Sequence, residues 1–326
     1  MKLSELHQAV LPHIVRDPAA IHPNVEAMSA IEISAVHYDS RRVKPGALFV
    51  AIPGFTVDGH HYIHDAVDRG AAAVITQNPI VCDAPTIQVE NTRKALAAVA
   101  DRFYESPSEK LHITGITGTN GKTTTAYLIE NILAAAGQNV GVIGTVNYRY
   151  NGKVFSSPTT TPESLDLQRI LAEMAQDGIS HVVMEVSSHA IDLFKIEYCR
   201  MDMGVFTNLT QDHLDFHGDM DSYWRCKKKL FTQHLGTSGE KPPAVAVLNI
   251  DNEKGQELAR ELPTPCVTTG QSKESMVRPH KVRIDLNGIQ GEIITPAENF
   301  RFHSHLIGFY NLENILSAAG AGVAFN

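Results

Sequence analysis

Apolar positions along the chain fall into two textures. Up to about residue 91 they form short runs broken by turn residues, and beyond it longer apolar runs alternate with helical spacing. In the first stretch, residues 48–52, 72–76 and 86–89 read as short strands among short helices, with Pro45-Gly46 and Pro53-Gly54 as turns. The helical pattern 92–104 then leads into a strand at 111–116, a helix at 126–136 and a strand at 140–145. Leu128/Ile132 and Ile129/Leu133, each four apart, give that second helix its apolar face, and Gly137 marks its stop. A helix at 165–175 ends by Gly178, and buried-type strands follow at 181–186, 203–207 and 244–250. Such alternation predicts a doubly wound, mostly parallel sheet with helices on both faces. Near the end, the runs 282–286 and 289–294 flank Asn287-Gly288, a two-residue hairpin signal; 300–306 alternates as a third strand and 312–323 is helical. The expected fold class is α/β. A small N-terminal α/β domain spans 1–91, and a doubly wound, mostly parallel domain with a small antiparallel β portion spans 92–326.

Residues 115–125 read Gly-Ile-Thr-Gly-Thr-Asn-Gly-Lys-Thr-Thr-Thr, between a strand and a helix. A glycine-rich turn in that place aims backbone N–H groups at a phosphate, and the positive end of the helix dipole favours the anion. Lys122 would reach the outer phosphates and the Thr123 hydroxyl would sit on Mg²⁺. The strict phosphate-loop pattern has glycine where this chain has Ile116, so Gly115 and Gly118 supply the turn in a variant form. Glu185 closes the apolar strand 181–186, the position where a carboxylate holds Mg²⁺ beside such a loop, and Ser187-Ser188-His189 follow it. The loop after the next strand concentrates Asp212, His213, Asp215 and His217, and reads equally as metal ligation or as helix capping. Thr159-Thr160-Thr161 is a row of hydroxyls suited either to an oxygen-rich substrate or to a local turn. Asp58-Gly59-His60-His61 with His64 lacks a helical ligand motif and reads as surface.

Composition narrows the function classes. With 326 residues the chain is too long for one typical core, and its 43% hydrophobic content suits globular folding. The net charge of −8, without a basic stripe interleaved with aromatics, argues against nucleic acid as a partner. No apolar run approaches the roughly 20 residues of a membrane helix, and the start of the chain turns polar too early for a signal peptide. Cys82, Cys199, Cys226 and Cys266 form no Cys-x-x-Cys pair, which argues against zinc and disulfide frameworks and fits a reducing cytoplasm.

Several ordered motifs together resemble the Mur ligase family of peptidoglycan synthesis, and within it the members that add the third amino acid, diaminopimelate or lysine. They are Asp39-Ser-Arg with Pro45-Gly-Ala-Leu-Phe-Val, Gly118-Thr-Asn-Gly-Lys-Thr-Thr and Met184-Glu-Val-Ser-Ser-His. Thr207-Asn-Leu-Thr-Gln-Asp-His-Leu-Asp-Phe-His-Gly and Gly308-Phe-Tyr-Asn-Leu-Glu-Asn complete the set. The resemblance implies that the first domain binds the uridine end of a UDP-N-acetylmuramoyl dipeptide through Ser40, Gly54, Phe55 and Thr56. Thr159, Thr160, Thr161 and Ser187 would hold the muramyl dipeptide. Gly118, Thr119, Asn120, Gly121, Lys122, Thr123 and Thr124 would bind ATP, with Asn311 and Asn314 near the adenine. Thr123, Glu185 and His213 would organise Mg²⁺ together with Lys227, which matches a family lysine carbamylated by CO₂. Lys228 and Lys229 follow directly, and composition alone reads the trio as a solvated basic face. Where many relatives carry Gln and Arg after the Ser-Ser-His run, this chain has Leu193 and Lys195, so a point charge replaces a two-pronged donor. The family's C-terminal domain is expected to be absent, because the sequence given ends at Asn326.

The resemblance implies an ATP-dependent amide ligase with Lys122, Glu185, His213 and Lys227 in the catalytic centre, ATP and Mg²⁺ as cofactors, and a diamino acid as second substrate. It implies a cytoplasmic monomer. Two other readings stand beside it: a phosphate-loop kinase or ATPase, and a nucleotide-binding fragment without ligase turnover. A uridine-nucleotide domain favours the ligase over the kinase.

Overall fold

The structure is a computed structural model that describes residues 1–15, 25–54, 57–212, 214–236 and 241–325; for residues 25, 214 and 215 it describes the backbone alone. Three residues singled out above, Phe55, Thr56 and His213, lie outside the described residues. The chain divides into two compact units. The first comprises Met1–Pro107 with the segments Glu163–Ala172 and Leu193–Cys199; the second comprises Ser108–Pro162, Glu173–Asp192 and the chain from Arg200 onward.

The first unit is built on a four-stranded parallel sheet, β1 (Ala35–His37), β2 (Ala47–Val50), β3 (Ala71–Thr76) and β4 (Thr86–Gln88), in that order. Both faces are covered, which is why these strands read as continuous apolar runs. Leu48, Val50 and Ile75 share one core with Leu3, Leu6, Leu96 and Val99, while Phe49 and Val74 pack with Ile63 and Ala66 in another. The helix Thr92–Phe103 belongs to this unit, although the sequence pattern placed it at the start of the second. Asn91 caps it by accepting from the N–H groups of Arg93 and Lys94, and its apolar stripe is buried in the first core, so the chain leaves this unit only at Pro107.

The second unit carries an eight-stranded sheet in the order β12-β11-β10-β5-β9-β6-β7-β8. Its strands are β5 (His112–Thr117), β6 (Val140–Ile143), β7 (Asn147–Tyr150), β8 (Lys153–Ser156), β9 (His181–Glu185), β10 (Met203–Phe206), β11 (Val245–Asn249) and β12 (Cys266–Thr269). Pairing is parallel from β12 through β6 and antiparallel from β6 to β8. This is the doubly wound, mostly parallel α/β arrangement that the alternating pattern predicts. The chain leaves β5 toward β6 and β9 on one side and later returns to β10 on the other, so the carboxyl ends of β5, β9 and β10 flank a topological switch point. Ile116 pairs with Glu185 on one side and Val205 on the other. A separate antiparallel sheet, β13 (Arg278–Asp285), β14 (Gly288–Ile294) and β15 (Asn299–Ser304), contains the expected hairpin with its turn one residue earlier, at Leu286-Asn287, because Asp285 pairs with Gly288, which opens β14. The hairpin of β7 and β8 turns on Asn151 and Gly152, at φ +48° and +73°. An Asn-Gly pair with both residues at positive φ is a two-residue hairpin signature, and the sequence reading passed over it.

Candidate functional site

Between the end of β5 and the helix Lys122–Ala135, the chain forms a tight loop whose glycines are dictated by space. Gly118 has φ +151°, and a Cβ there would lie 2.0 Å from Thr207 Oγ1 and 3.0 Å from the Asn208 nitrogen. Gly121 has φ +86°, and its Cβ would meet Asn314 Oδ1 at 2.1 Å. Only glycine satisfies both demands. No side chain caps the helix at Gly121, so its first N–H groups and the positive end of its dipole are presented to an anion.

The segment after β10 braces this loop. The Thr119 and Asn120 N–H groups donate to Asn208 O and Oδ1, each at 2.9 Å, and Thr207 Oγ1 donates to Asn120 O at 2.7 Å. Thr119 Oγ1 donates to Thr210 O at 3.1 Å and accepts from the Thr210 N–H at 3.0 Å. Thr207, Asn208 and Thr210 therefore shape the glycine loop. The sequence reading gave them no such role, because the contact joins residues some ninety positions apart.

Two ammonium groups converge on the loop. Lys122 Nζ donates to the carbonyls of Gly118 and Thr119, each at 2.9 Å. Burial holds its pKa below the usual lysine range against the pull of Glu185 and Asp212. Lys227, on the helix Met220–Lys229, is only 1% exposed, and its Nζ donates to the same Gly118 carbonyl at 2.9 Å while standing 4.5 Å from the Tyr223 ring centroid. Burial first, and the nearby Lys122 charge second, push its pKa down to about 7. Lys228 instead pairs with Glu257 at 3.1 Å and with Glu261. Of these two neighbours, Lys227 is the one that reaches the glycine loop.

Glu185, 2% exposed at the end of β9, faces the first turn of the loop helix. Its Oε2 accepts from Thr123 Oγ1 at 2.9 Å and from Thr145 Oγ1 at 3.1 Å, and its Oε1 accepts from the Thr145 N–H at 3.0 Å. Thr145 is a member of this cluster that the sequence reading did not single out. The threonine row lies alongside: Thr161, 1% exposed, donates to the Glu185 carbonyl at 2.9 Å and accepts from the Ser187 N–H at 3.3 Å. Thr159 Oγ1 donates to the Thr161 carbonyl at 2.9 Å, and Thr160 Oγ1 stands 3.1 Å from Thr145 Oγ1. Thr124, Asn120 and Gly121 open onto a cavity of about 680 Å³ that Asn311, Asn314 and Tyr310 also line. That volume suits a small ligand such as a nucleoside. Asn314 Nδ2 donates to Asn311 Oδ1 at 3.1 Å, so the two residues expected near adenine stand together.

The other expected residues sit as follows. In the first unit, Ser40 is buried at the start of the turn Ser40–Arg42, which Asp39 caps, and the Gly54 N–H donates to Val57 O at 3.0 Å. Leu193 is half-buried, and burial lowers the pKa of Lys195, opposed by Glu163 and Asp166. Those two carboxylates also take Arg93 at 2.8 Å and the Tyr38 hydroxyl at 2.6 Å. In the acidic and histidine-rich loop, the His217 ring lies against Tyr223 at 5.1 Å and His189 at 5.8 Å. Asp219 caps the helix carrying Lys227. Among the described residues no group of three or more His, Cys, Asp or Glu side chains is placed to hold a metal. The His60 ring is structural: Nδ1 lies 2.6 Å from Asp58, and Nε2 accepts from the Gln77 N–H at 3.1 Å.

Residues 116–322 match the Mur ligase middle domain, and residues 32–104 match a domain described as the Mur ligase family catalytic domain. The chain belongs to the Mur ligase family. A UDP-N-acetylmuramoyl-L-alanyl-D-glutamate–2,6-diaminopimelate ligase of Geobacter metallireducens is 46% identical to this Mur ligase chain over 297 residues, covering 90% of the chain and 58% of the relative. The ligase of the same name from Geobacter sulfurreducens is 41% identical over 325 residues, covering 99% and 62%. The Mur ligase chain thus spans about 60% of the length of these relatives. A solved structure of a 2,6-diaminopimelate ligase of that name shares its fold, with a TM-score of 0.81 at 24% identity over 100% of this chain and 64% of that one. A Thermotoga maritima MurF ligase solved in complex with ADP is alike in fold, with a TM-score of 0.62 at 20% identity, covering 90% and 63%.

Proposed function

We propose that this chain binds ATP and a UDP-N-acetylmuramoyl dipeptide and serves ATP-dependent amide ligation, adding meso-diaminopimelate or L-lysine to UDP-N-acetylmuramoyl-L-alanyl-D-glutamate in the cytoplasm. The observation that carries the reading is the meeting of Lys122, Lys227 and the Thr123–Glu185 pair at one glycine loop. The relatives' names supply the substrate class. An ionised carboxylate resists attack by an amine because its leaving group would be oxide. Phosphorylating it by ATP gives an acyl phosphate, from which the amine expels phosphate. That transfer gathers negative charge among phosphate oxygens, where the Lys122 ammonium and the uncapped helix end stabilise it.

The hard oxygens of Thr123 and Glu185, with His213 and Lys227 completing the proposed set, would hold a Mg²⁺ ion, which would supply neutralisation of phosphate charge. Lys227 suits the role of carbamylated ligand. Held near pKa 7, it offers unprotonated amine to CO₂, forming an N–C bond and releasing a proton. Thr160, Thr161 and Ser187 are assigned to the muramyl dipeptide, since they stand at the end of β9 beside Glu185.

The test is ADP release from ATP and Mg²⁺ with and without the UDP-linked dipeptide, followed by mass spectrometry for an amide product once the diamino acid is added. Dipeptide-dependent ADP release together with the new amide is expected. Absence of ADP binding, or ADP release indifferent to the dipeptide, overturns the reading. The 58–62% coverage of the relatives favours a second reading, in which the chain binds both nucleotides and forms no amide; binding without an amide product identifies it.

A further inference from the structure

The clamp on the Glu185 carboxylate is uneven in its origin. One oxygen takes the Thr145 N–H at 3.0 Å; the other takes the Thr145 hydroxyl at 3.1 Å and the Thr123 hydroxyl at 2.9 Å. A single residue thus grips both carboxylate oxygens and sets the plane of the group. Gly144 makes the grip possible, because a Cβ there would lie 2.3 Å from Oε1. The backbone arrives from β6, whose Ile143 pairs with Met184 of β9, so the amide of Thr145 is placed by the sheet itself. The hydroxyl has a second neighbour, Thr160 Oγ1 at 3.1 Å. One hydroxyl proton serves one acceptor at a time, and the ionised carboxylate is the stronger acceptor. The Thr145 hydroxyl is within donating reach of both Thr160 and Glu185, and the carboxylate therefore draws it. Thr145 is itself exposed, so its side chain contributes little to the core.

We infer that Thr145 is a positioning residue that orients the Glu185 carboxylate for a divalent cation through its own hydroxyl and amide. The inference rests on the reading of Glu185 as a cation-binding carboxylate. Partners that orient a metal-binding carboxylate typically matter by about 10- to 100-fold in metal affinity when removed. Thr145→Val keeps the side-chain shape and the backbone N–H and deletes only the hydroxyl; Thr145→Ser restores it.

Mn²⁺ is the probe, with binding to the intact chain in the presence of ADP followed by electron paramagnetic resonance. Metal-free ADP affinity, measured in chelator, is the reference. Thr145→Val is expected to weaken Mn²⁺ binding about tenfold or more, and Thr145→Ser to stay within about threefold of the parent. All three proteins should bind metal-free ADP alike. Wild-type Mn²⁺ affinity in Thr145→Val overturns the inference, as does failure of serine to rescue. So does a parallel fall in metal-free ADP affinity, which would make the hydroxyl a part of the cradle's structure only. Glu185→Gln separates the two levels of the argument. If it binds Mn²⁺ as the parent does, the reading of Glu185 falls; if it loses Mn²⁺ while Thr145→Val does not, only the role of Thr145 falls.

Discussion

Replacing Lys227 by methionine should make the protein more stable at neutral pH and below, and the advantage should shrink as pH rises. The lysine is 1% exposed, and its pKa falls from the ordinary 10.5 to about 7. Burial lowers the folded-state value beneath the unfolded one, so between these two pH values the unfolded chain binds more protons and stability rises with pH. Below the folded value the full penalty applies, an upper bound of about 5 kcal/mol at 1.36 kcal/mol per tenfold in proton affinity. Methionine removes that penalty and forfeits the bond to Gly118 O, worth roughly 1 kcal/mol. The stabilisation should therefore be about 3 kcal/mol smaller at pH ~9.5 than at pH ~6.5, vanishing near pH ~10. Even about 2 kcal/mol moves the melting temperature of a unit this size by roughly 4–8 °C. Thermal or urea unfolding of both proteins across that range, in CO₂-free buffer, reads the difference. Parallel pH profiles would falsify the claim that a buried amine at the glycine loop resists its own charge.

Further outcomes follow from other contacts. Gly118→Ala places a methyl 2.0 Å from Thr207 Oγ1 on a left-handed backbone, so ADP affinity by calorimetry should drop at least about tenfold, with a stability loss of about 1–3 kcal/mol. Asp202→Ala strips a 5%-exposed carboxylate from the Ile113 N–H at 2.8 Å and from Lys241; denaturant unfolding should show a loss of about 3–5 kcal/mol. Tyr38→Phe in the first unit removes a 2.6 Å bond to Asp166 and should cost about 1–2 kcal/mol, without altering ADP binding in the second unit. Lys227→Ala should abolish amide formation in any form of the protein that ligates, with partial recovery by short carboxylic acids; near-normal turnover refutes the assignment.

What could be read from the chain beforehand was whatever chemistry is local. The glycine loop, Lys122 and Thr123 lie within a few residues of one another, and Glu185 is marked by the apolar run that ends on it. The parallel core strands announced themselves as unbroken apolar runs because both their faces are covered. Thr145 escaped notice because its partner is forty positions away and the meeting is arranged by β6 lying beside β9. The brace from Thr207 to Thr210 was hidden in the same way. The helix Thr92–Phe103 was given to the wrong neighbour because amphipathicity says that a face is buried and not against which sheet. Among the three lysines, sequence left the choice open, and burial of Lys227 against Gly118 distinguishes it from Lys228.

The bonds that join Thr119 and Asn120 to Asn208 and Thr210 run entirely between protein atoms. They hold the shape of the turn without asking anything of a nucleotide, so the entropy of ordering it is spent during folding and none is left to subtract from affinity. Calorimetry should then register a small heat-capacity change when ADP docks, in keeping with a rigid receptor and a surface that does not refold around its guest.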